Sequence, residues 1–272
     1  LSAVSNNTVG IASASNNRIK ILPVKATPDA GSPLGIYNGF EGITWAADNG
    51  AQIISLSWGG AGYSQAEQEV IDYVHSKGIV IVAAAGNNNN DVESFPAAYN
   101  HVISVASLDA DDKRSSFSTY GSWVDISAPG RGILSTVPTD GYASFNGTSM
   151  ATPLVASVLG YIWSCTPSLT PAELESILVN TADNIDAANP AQIGLLGAGR
   201  INLLKAIACS TQGILSATIT ANGSTYLCEG ESVTLSANTG PGLSYQWRVN
   251  GEETTNVADS LVVSTANDYQ VI

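Results

Sequence analysis

Cationic side chains are scarce in this chain. Ten lysines and arginines stand against 23 aspartates and glutamates, for a formal net charge of −13. That balance argues against nucleic acid or an anionic membrane as a partner. No apolar run approaches the length needed to cross a bilayer, so no membrane span is expected. Leu1-Ser2-Ala3-Val4 has neither the charged start nor the apolar stretch of a secretory leader, and there is no initiator methionine. A fragment or a processed product is the expectation. Cysteine is rare too, with three: Cys165, Cys209 and Cys228. The first two fall at the ends of helical patterns, so a disulfide between them is one reading and two buried free thiols the other. Cys228 is left over.

Apolar residues are plentiful, at 44%, and 272 residues allow one large domain and a small one. Ile21–Lys25 is a short apolar run read as a buried strand. A loop with Pro28, Gly31 and Pro33 follows, then a helical pattern to about Asn49 that Gly50 stops. Gln52–Ser57 reads as a second strand, ending at Trp58-Gly59-Gly60. Ser64 with Glu67 three residues on predicts a capping box for the next helix, closed by Gly78. Ile79–Ala85 is a third strand, running into Gly86 and four asparagines. His101–Ser107 and Trp123–Ser127 read as further strands, and three helices follow to Ala208.

Strands and helices alternating in this way predict an α/β fold with a mainly parallel sheet and helices on both faces. In such sheets the active groups lie beyond the carboxyl ends of the strands. Trp58-Gly59-Gly60 and Gly86-Asn87 both fall there.

In Asn146-Gly147-Thr148-Ser149-Met150-Ala151-Thr152-Pro153 a serine stands between a glycine turn and a run, Met150–Trp163, apolar on nearly every side. An all-round apolar helix is a buried one. Ser149 is therefore placed at the N-terminus of a core helix, where free N–H groups and the helix dipole favour developing negative charge. It is either an N-cap or a nucleophile.

From about Gly213 the texture changes to Thr, Ser, Asn and Gly with alternating apolar positions. Cys228, Trp247 nineteen residues later, and Tyr269 suggest an immunoglobulin-like β-sandwich over residues 213–272. About 60 residues are fewer than such a domain needs, so a truncated sandwich is expected after a first domain of residues 1–210.

Four blocks now read together: Ser57-Trp58-Gly59-Gly60, Ala83-Ala84-Ala85-Gly86-Asn87, Ser127-Ala128-Pro129-Gly130 and Asn146–Pro153. In order and spacing they resemble the subtilisin-like serine proteases, and the resemblance covers roughly residues 1–208. It implies a serine endopeptidase acting on proteins or peptides, secreted or at the cell surface, with Ser149 as nucleophile. It implies that the Asn87 amide and the Ser149 N–H hold the oxyanion and that Thr148 helps shape that hole. Ser57, Trp58 and Gly59, with Ala84, Ala85 and Gly86, would bind an extended peptide and wall its primary specificity pocket. Ser94 would lie near the pocket base, beside a candidate cis bond at Phe95-Pro96. Small walls and a neutral base suit uncharged side chains; Glu93 nearby pulls the other way.

The same resemblance exposes a gap. A triad needs a base and an orienting carboxylate, and neither His75 nor His101 stands in the family's His-Gly-Thr-His-Val-Ala-Gly context. Both read as structural. Leu1–Asn7 resembles the segment directly after that motif, so the resemblance implies a histidine about seven residues before Leu1 and an aspartate further upstream. The chain by itself is then expected to be nearly inert. Leu154 and Ser157 replace the family's His and Gly after the nucleophile, which touches packing rather than chemistry. No cofactor is required; the resemblance admits a structural calcium, with Asn7 and Asp125 as ligand positions. Asp109, Asp111 and Asp112 read as a solvated turn.

Two rival readings meet the same residues. An α/β-hydrolase places its histidine after the nucleophile, and no histidine follows Ser149. A catalytically dead peptide-binding or adhesive module has no chemical need of both Ser149 and Asn87.

Overall fold

A computed structural model describes residues 1, 3–29, 35–138, 140–212, 219–223, 230–239, 245–265 and 267–272. Contacts divide the chain into two units, Leu1–Ile214 and Leu215–Ile272.

The first unit is built on a parallel sheet in the order β1 (Ile53–Leu56), β2 (Val80–Ala84), β3 (Val102–Leu108), β4 (Ile126–Pro129). β2 and β3 are buried at every position, as a sheet covered on both faces requires. The two-residue period sorts β2: Ile81 and Ala83 face one layer, Val80 and Val82 the other.

The first layer is α1 (Gly39–Asp48) and α2 (Gln65–Ser76). They bury Ile43, Ala46 and Ala47, and Ile71 and Val74, at helical spacing. The opposite layer is α3 (Thr148–Cys165), α4 (Pro171–Asn180) and α5 (Leu203–Gln212). α3 buries ten residues, among them Val155, Leu159 and Ile162 at 0% exposure. Truncating one such side chain to alanine costs about 2–5 kcal/mol, so this helix anchors whatever sits on its first turn. A hairpin, β5 (Ile133–Val137) and β6 (Gly141–Phe145), leads into it.

Several sequence expectations are corrected. Residues 21–25 form no strand: Ile21 is 47% exposed and Leu22 41%, and the segment pairs with no ladder. An apolar groove of about 1,010 Å³, lined by Ile19, Val24, Ile43, Ile53 and Ala156, separates it from β1. Apolar character marked it for burial, but a strand also needs a neighbour about 4.8 Å away. The capping box at Ser64 does not form either. Tyr99 takes both partners, accepting from Ser64 N–H (3.1 Å) and donating its hydroxyl to Glu67 (2.6 Å). Burial and Glu67 together push the Tyr99 phenol up to about 12. A true capping box stands instead at Thr170 and Glu173, opening α4. Cys165 and Cys209 are free and half-buried, so the bridge read between them is absent. The leftover Cys228 lies outside the described residues.

In the second unit two antiparallel sheets are described. One is β11 (Ser260–Val263), β8 (Val233–Ala237) and β7 (Ile219–Ala221); the other is β10 (Glu252–Glu253), β9 (Trp247–Val249) and β12 (Tyr269–Val271). Their side chains meet around fully buried Trp247, which packs with Val233, Leu235 and Val263 and donates its indole N–H to Ala258 O at 2.8 Å.

Candidate active site

The carboxyl ends of β1 and β2 and the first turn of α3 open on one cleft of about 1,060 Å³. Ser149 lies in this cleft, half-buried, on the turn that α3's packing holds still. Its backbone N–H falls in the first helical turn, where such groups have no intrahelical acceptor. Gly147, at φ +155°, makes the turn into the helix. A Cβ built there would lie 3.6 Å from both Ser149 N and Asn87 Nδ2, so these two donors flank one spot.

Asn87 follows Gly86, whose φ of +108° turns the chain off β2. Its Oδ1 is held by Thr148 N–H at 2.9 Å and Thr148 Oγ1 at 3.1 Å. Thr148 Oγ1 in turn accepts from Gly86 N–H at 3.2 Å. With the oxygen fixed, the Asn87 amide can only donate. Two N–H donors flanking one spot at a helix N-terminus are suited to hold an oxyanion.

Ser149 Oγ donates to Ser57 O at 3.2 Å, and Ser57 Oγ donates to Ser149 O at 2.9 Å. A peptide carbonyl is no proton acceptor at neutral pH. Among the described residues no histidine, lysine or carboxylate is bonded to Ser149 Oγ. His75 and His101 stack on each other with ring centroids 3.9 Å apart. His101 directly precedes β3, at the end of the sheet opposite the cleft. Burial and the neighbouring His101 hold the His75 imidazole below its ordinary range. Neither histidine lines the cleft.

Of the residues expected to bind substrate, Ser57, Trp58, Gly59, Ala84, Gly86 and Ser94 line the cleft with Asn87, Thr148 and Ser149. Ala85 does not. Strand alternation turns it inward at 0% exposure, against Ala106, Leu108 and Val124. The Phe95-Pro96 bond is cis. Gly130, the last residue of the third block, accepts from Gly147 N–H at 2.9 Å and so braces the nucleophile turn. Sequence reading missed the cleft's upper wall, Ile36, Tyr37 and Phe40. Phe40 stands edge-on to Trp58 at 5.6 Å. No local pattern marks that wall, because α1 reaches the cleft only through the fold.

The calcium positions are not brought into a cation shell. Asn7 Oδ1 accepts from Val9 N–H, and Asp125 Oδ2 accepts from Ser104 N–H and Oγ, at 2.8 and 2.6 Å. Burial pushes the Asp125 carboxyl up against those two bonds. Among the described residues no group of three His, Cys, Asp or Glu side chains could hold a metal. No step of the chemistry is routed through calcium. Asp109, Asp111 and Asp112 occupy a turn where Asp109 pairs with Arg131 and Asp112 with Arg200.

Comparison with known proteins agrees with this geometry. The model of the subtilase family matches residues 2–199. Thermitase of Thermoactinomyces vulgaris is 44% identical over 206 residues, which cover 75% of this chain and 71% of thermitase. Alkaline elastase YaB of Bacillus sp. (strain YaB) is 38% identical over 197 residues; the chain spans about half of that relative, 51%. Among solved structures, the protease of Pseudoalteromonas arctica PAMC 21717 is similar with a TM-score of 0.69 and 33% identity, over 77% of this chain and 68% of that one. No helix among the described residues is long and apolar enough to cross a membrane.

Proposed function

The chain belongs to the subtilase family, and on that footing we propose that it carries the nucleophile and oxyanion site of a serine endopeptidase. An extended peptide lies along residues 57–59 and 84–86, adding its backbone to theirs. Ser149 Oγ attacks the scissile carbonyl while a histidine takes the hydroxyl proton. The oxyanion is received by Asn87 Nδ2 and Ser149 N–H. Collapse breaks the C–N bond, the amine leaves with that proton, and water then cleaves the acyl ester by the same route in reverse. The histidine and its orienting aspartate are assigned to chain preceding Leu1, because His75 and His101 are occupied with each other outside the cleft. The same reading makes the protein secreted and its second unit an immunoglobulin-like sandwich.

The observation that carries the proposal is the Thr148 lock on Asn87 Oδ1, which leaves the amide as a donor beside Ser149. The test is labelling with a fluorophosphonate, in the protein extended through its upstream coding region. Covalent modification at Ser149, lost in Ser149→Ala together with peptide hydrolysis, supports it; hydrolysis that survives Ser149→Ala refutes it.

A second reading rests on the Ser149 Oγ bond to Ser57 O, the geometry of a serine with no base attached. It makes the protein a peptide-binding module on a protease scaffold. Peptide binding without labelling of the extended protein would favour it.

A further inference from the structure

β1 is an edge of its sheet, bonded to β2 alone among the described strands. Gln52 O accepts from Val80 N–H at 3.0 Å. Strand alternation then turns Ile54 and Leu56 to β2 and leaves the N–H and C=O of Ile53 and Ser55 facing the other way. They face the apolar groove of about 1,010 Å³. An open strand edge of this kind is a template for one more strand. The groove's far wall, residues 19–26, is pinned at both ends. Ile19 abuts α3 at Gly160, where a Cβ would lie 2.7 Å from Ile19 Cγ2. Ala26 O accepts from Tyr37 N–H and Asn38 N–H, each at 3.1 Å. Between these anchors Ile21, Leu22 and Val24 stand exposed. The slot is held open by its ends.

Charge narrows the occupant. Three of the chain's ten cations, Arg18, Lys20 and Lys25, line the groove, and no aspartate or glutamate does. Lys25 pairs with Asp29, whereas Arg18 and Lys20 pair with no described carboxylate. Leu1 also lines the groove, and Ile36, Gly39 and Trp58 line both it and the cleft that holds Ser149. Resting on the proposed function, which assigns further chain ahead of Leu1, we infer that the groove receives a segment of that chain as an added β-strand, apolar in its middle and carrying carboxylates at its flanks. The strand pairs with Ile53 and Ser55 and covers Ile21, Leu22 and Val24. Its carboxylates meet Arg18 and Lys20. One end of it comes out at Trp58, so the segment reaches the cleft.

The test uses the extended protein as Ser149→Ala, with p-benzoylphenylalanine in place of Val24. Irradiation is expected to crosslink that side chain to residues ahead of Leu1 in the same molecule, identified by peptide mass spectrometry. Crosslinks confined to residues 1–272, or made to a second copy, overturn the inference. Hydrogen exchange with Val24 intact reads the pairing itself. The Ile53 and Ser55 amides should exchange at least about 100-fold more slowly than free amides. Lys20→Glu should speed that exchange about threefold by repelling the carboxylates. Exchange at the free-amide rate, or a rate indifferent to Lys20→Glu, overturns the inference as well. Fluorophosphonate labelling is measured separately with Ser149 intact. If the crosslink and the protection stand while Ser149 is not labelled, the enzyme reading fails and the groove assignment survives.

Discussion

Ser57 and Ser149 hold each other by reciprocal bonds, each hydroxyl donating to the other's carbonyl. The reason for one half of this exchange lies four residues on. Pro153 stands inside α3 and has no N–H, so the Ser149 carbonyl loses its helical donor. Ser57 Oγ supplies the missing proton from β1's end of the cleft. Ser57→Ala is therefore expected to leave that carbonyl short of a partner and the nucleophile turn looser. A loss of about 1 kcal/mol in thermal stability, with a fall of several-fold in turnover, is the expected outcome. Calorimetry and peptide hydrolysis on the extended protein check it.

Thr148 acts through Asn87. Thr148→Val keeps the shape but removes the hydroxyl that bonds Asn87 Oδ1 and Gly86 N–H. Turnover should fall about tenfold with KM little changed, since the loss is felt in the transition state. Asn87→Leu should cost about 10²–10³-fold, the magnitude already established for the corresponding asparagine of subtilisin. The double variant should be no worse than Asn87→Leu alone. Additive losses would show that Thr148 does something other than aim this amide.

Gly130 is held to glycine by space. A Cβ there would lie 2.3 Å from Ser107 Oγ and 2.7 Å from Gly147 O, the carbonyl just before the nucleophile turn. Neither a buried strand nor that turn can withdraw freely. Gly130→Ala should cost about 1–3 kcal/mol and lower activity by displacing Ser149. Denaturant unfolding beside a fluorophosphonate labelling rate measures both.

Acid should weaken the first unit through Asp183. Lys205, Arg200 and Asn202 all donate to its carboxylate, at 2.7 to 3.1 Å, and hold it well below the ordinary carboxylate range. The folded state thus binds this proton more weakly than the unfolded chain does. Its contribution is complete above the unfolded carboxylate pKa, about 3.9, and is lost as pH falls below it. Asp183→Asn should lower stability at pH 7 by about 1 kcal/mol, solvent screening keeping the figure small. It should also flatten the acid limb of the stability–pH curve. An unchanged acid limb in the variant would remove Asp183 from that account.

What could be read ahead of the structure was local. The order of the four sheet strands and their flanking helices was legible because β2 is an unbroken apolar run, β3 is interrupted only by Ser104 and Ser107, and α1 and α2 carry regular stripes, whereas the β5–β6 hairpin was not read. The blocks around Ser149 and Asn87 were legible because each is contiguous, with its glycine where the chain must turn. Residues 21–25 misled because apolar character marks burial but names no partner. The Ser64 cap misled because Tyr99, 35 residues on, offered a competing hydroxyl. Cys165 and Cys209 misled because Cys209 lies inside α5 rather than at its end, and a pair of helix patterns does not bring sulfurs into bonding geometry.

The sequence by itself determined the parallel sheet, the layer of helices on each face and the serine at a buried helix's first turn. Those follow from periodicity and from backbone rules that act over a few residues. Only the tertiary structure decided that Thr148 would aim Asn87 and that Ser57 would complete the carbonyl Pro153 left bare. Each of these joins residues distant in the chain, and such contacts are fixed by packing, which no local pattern encodes.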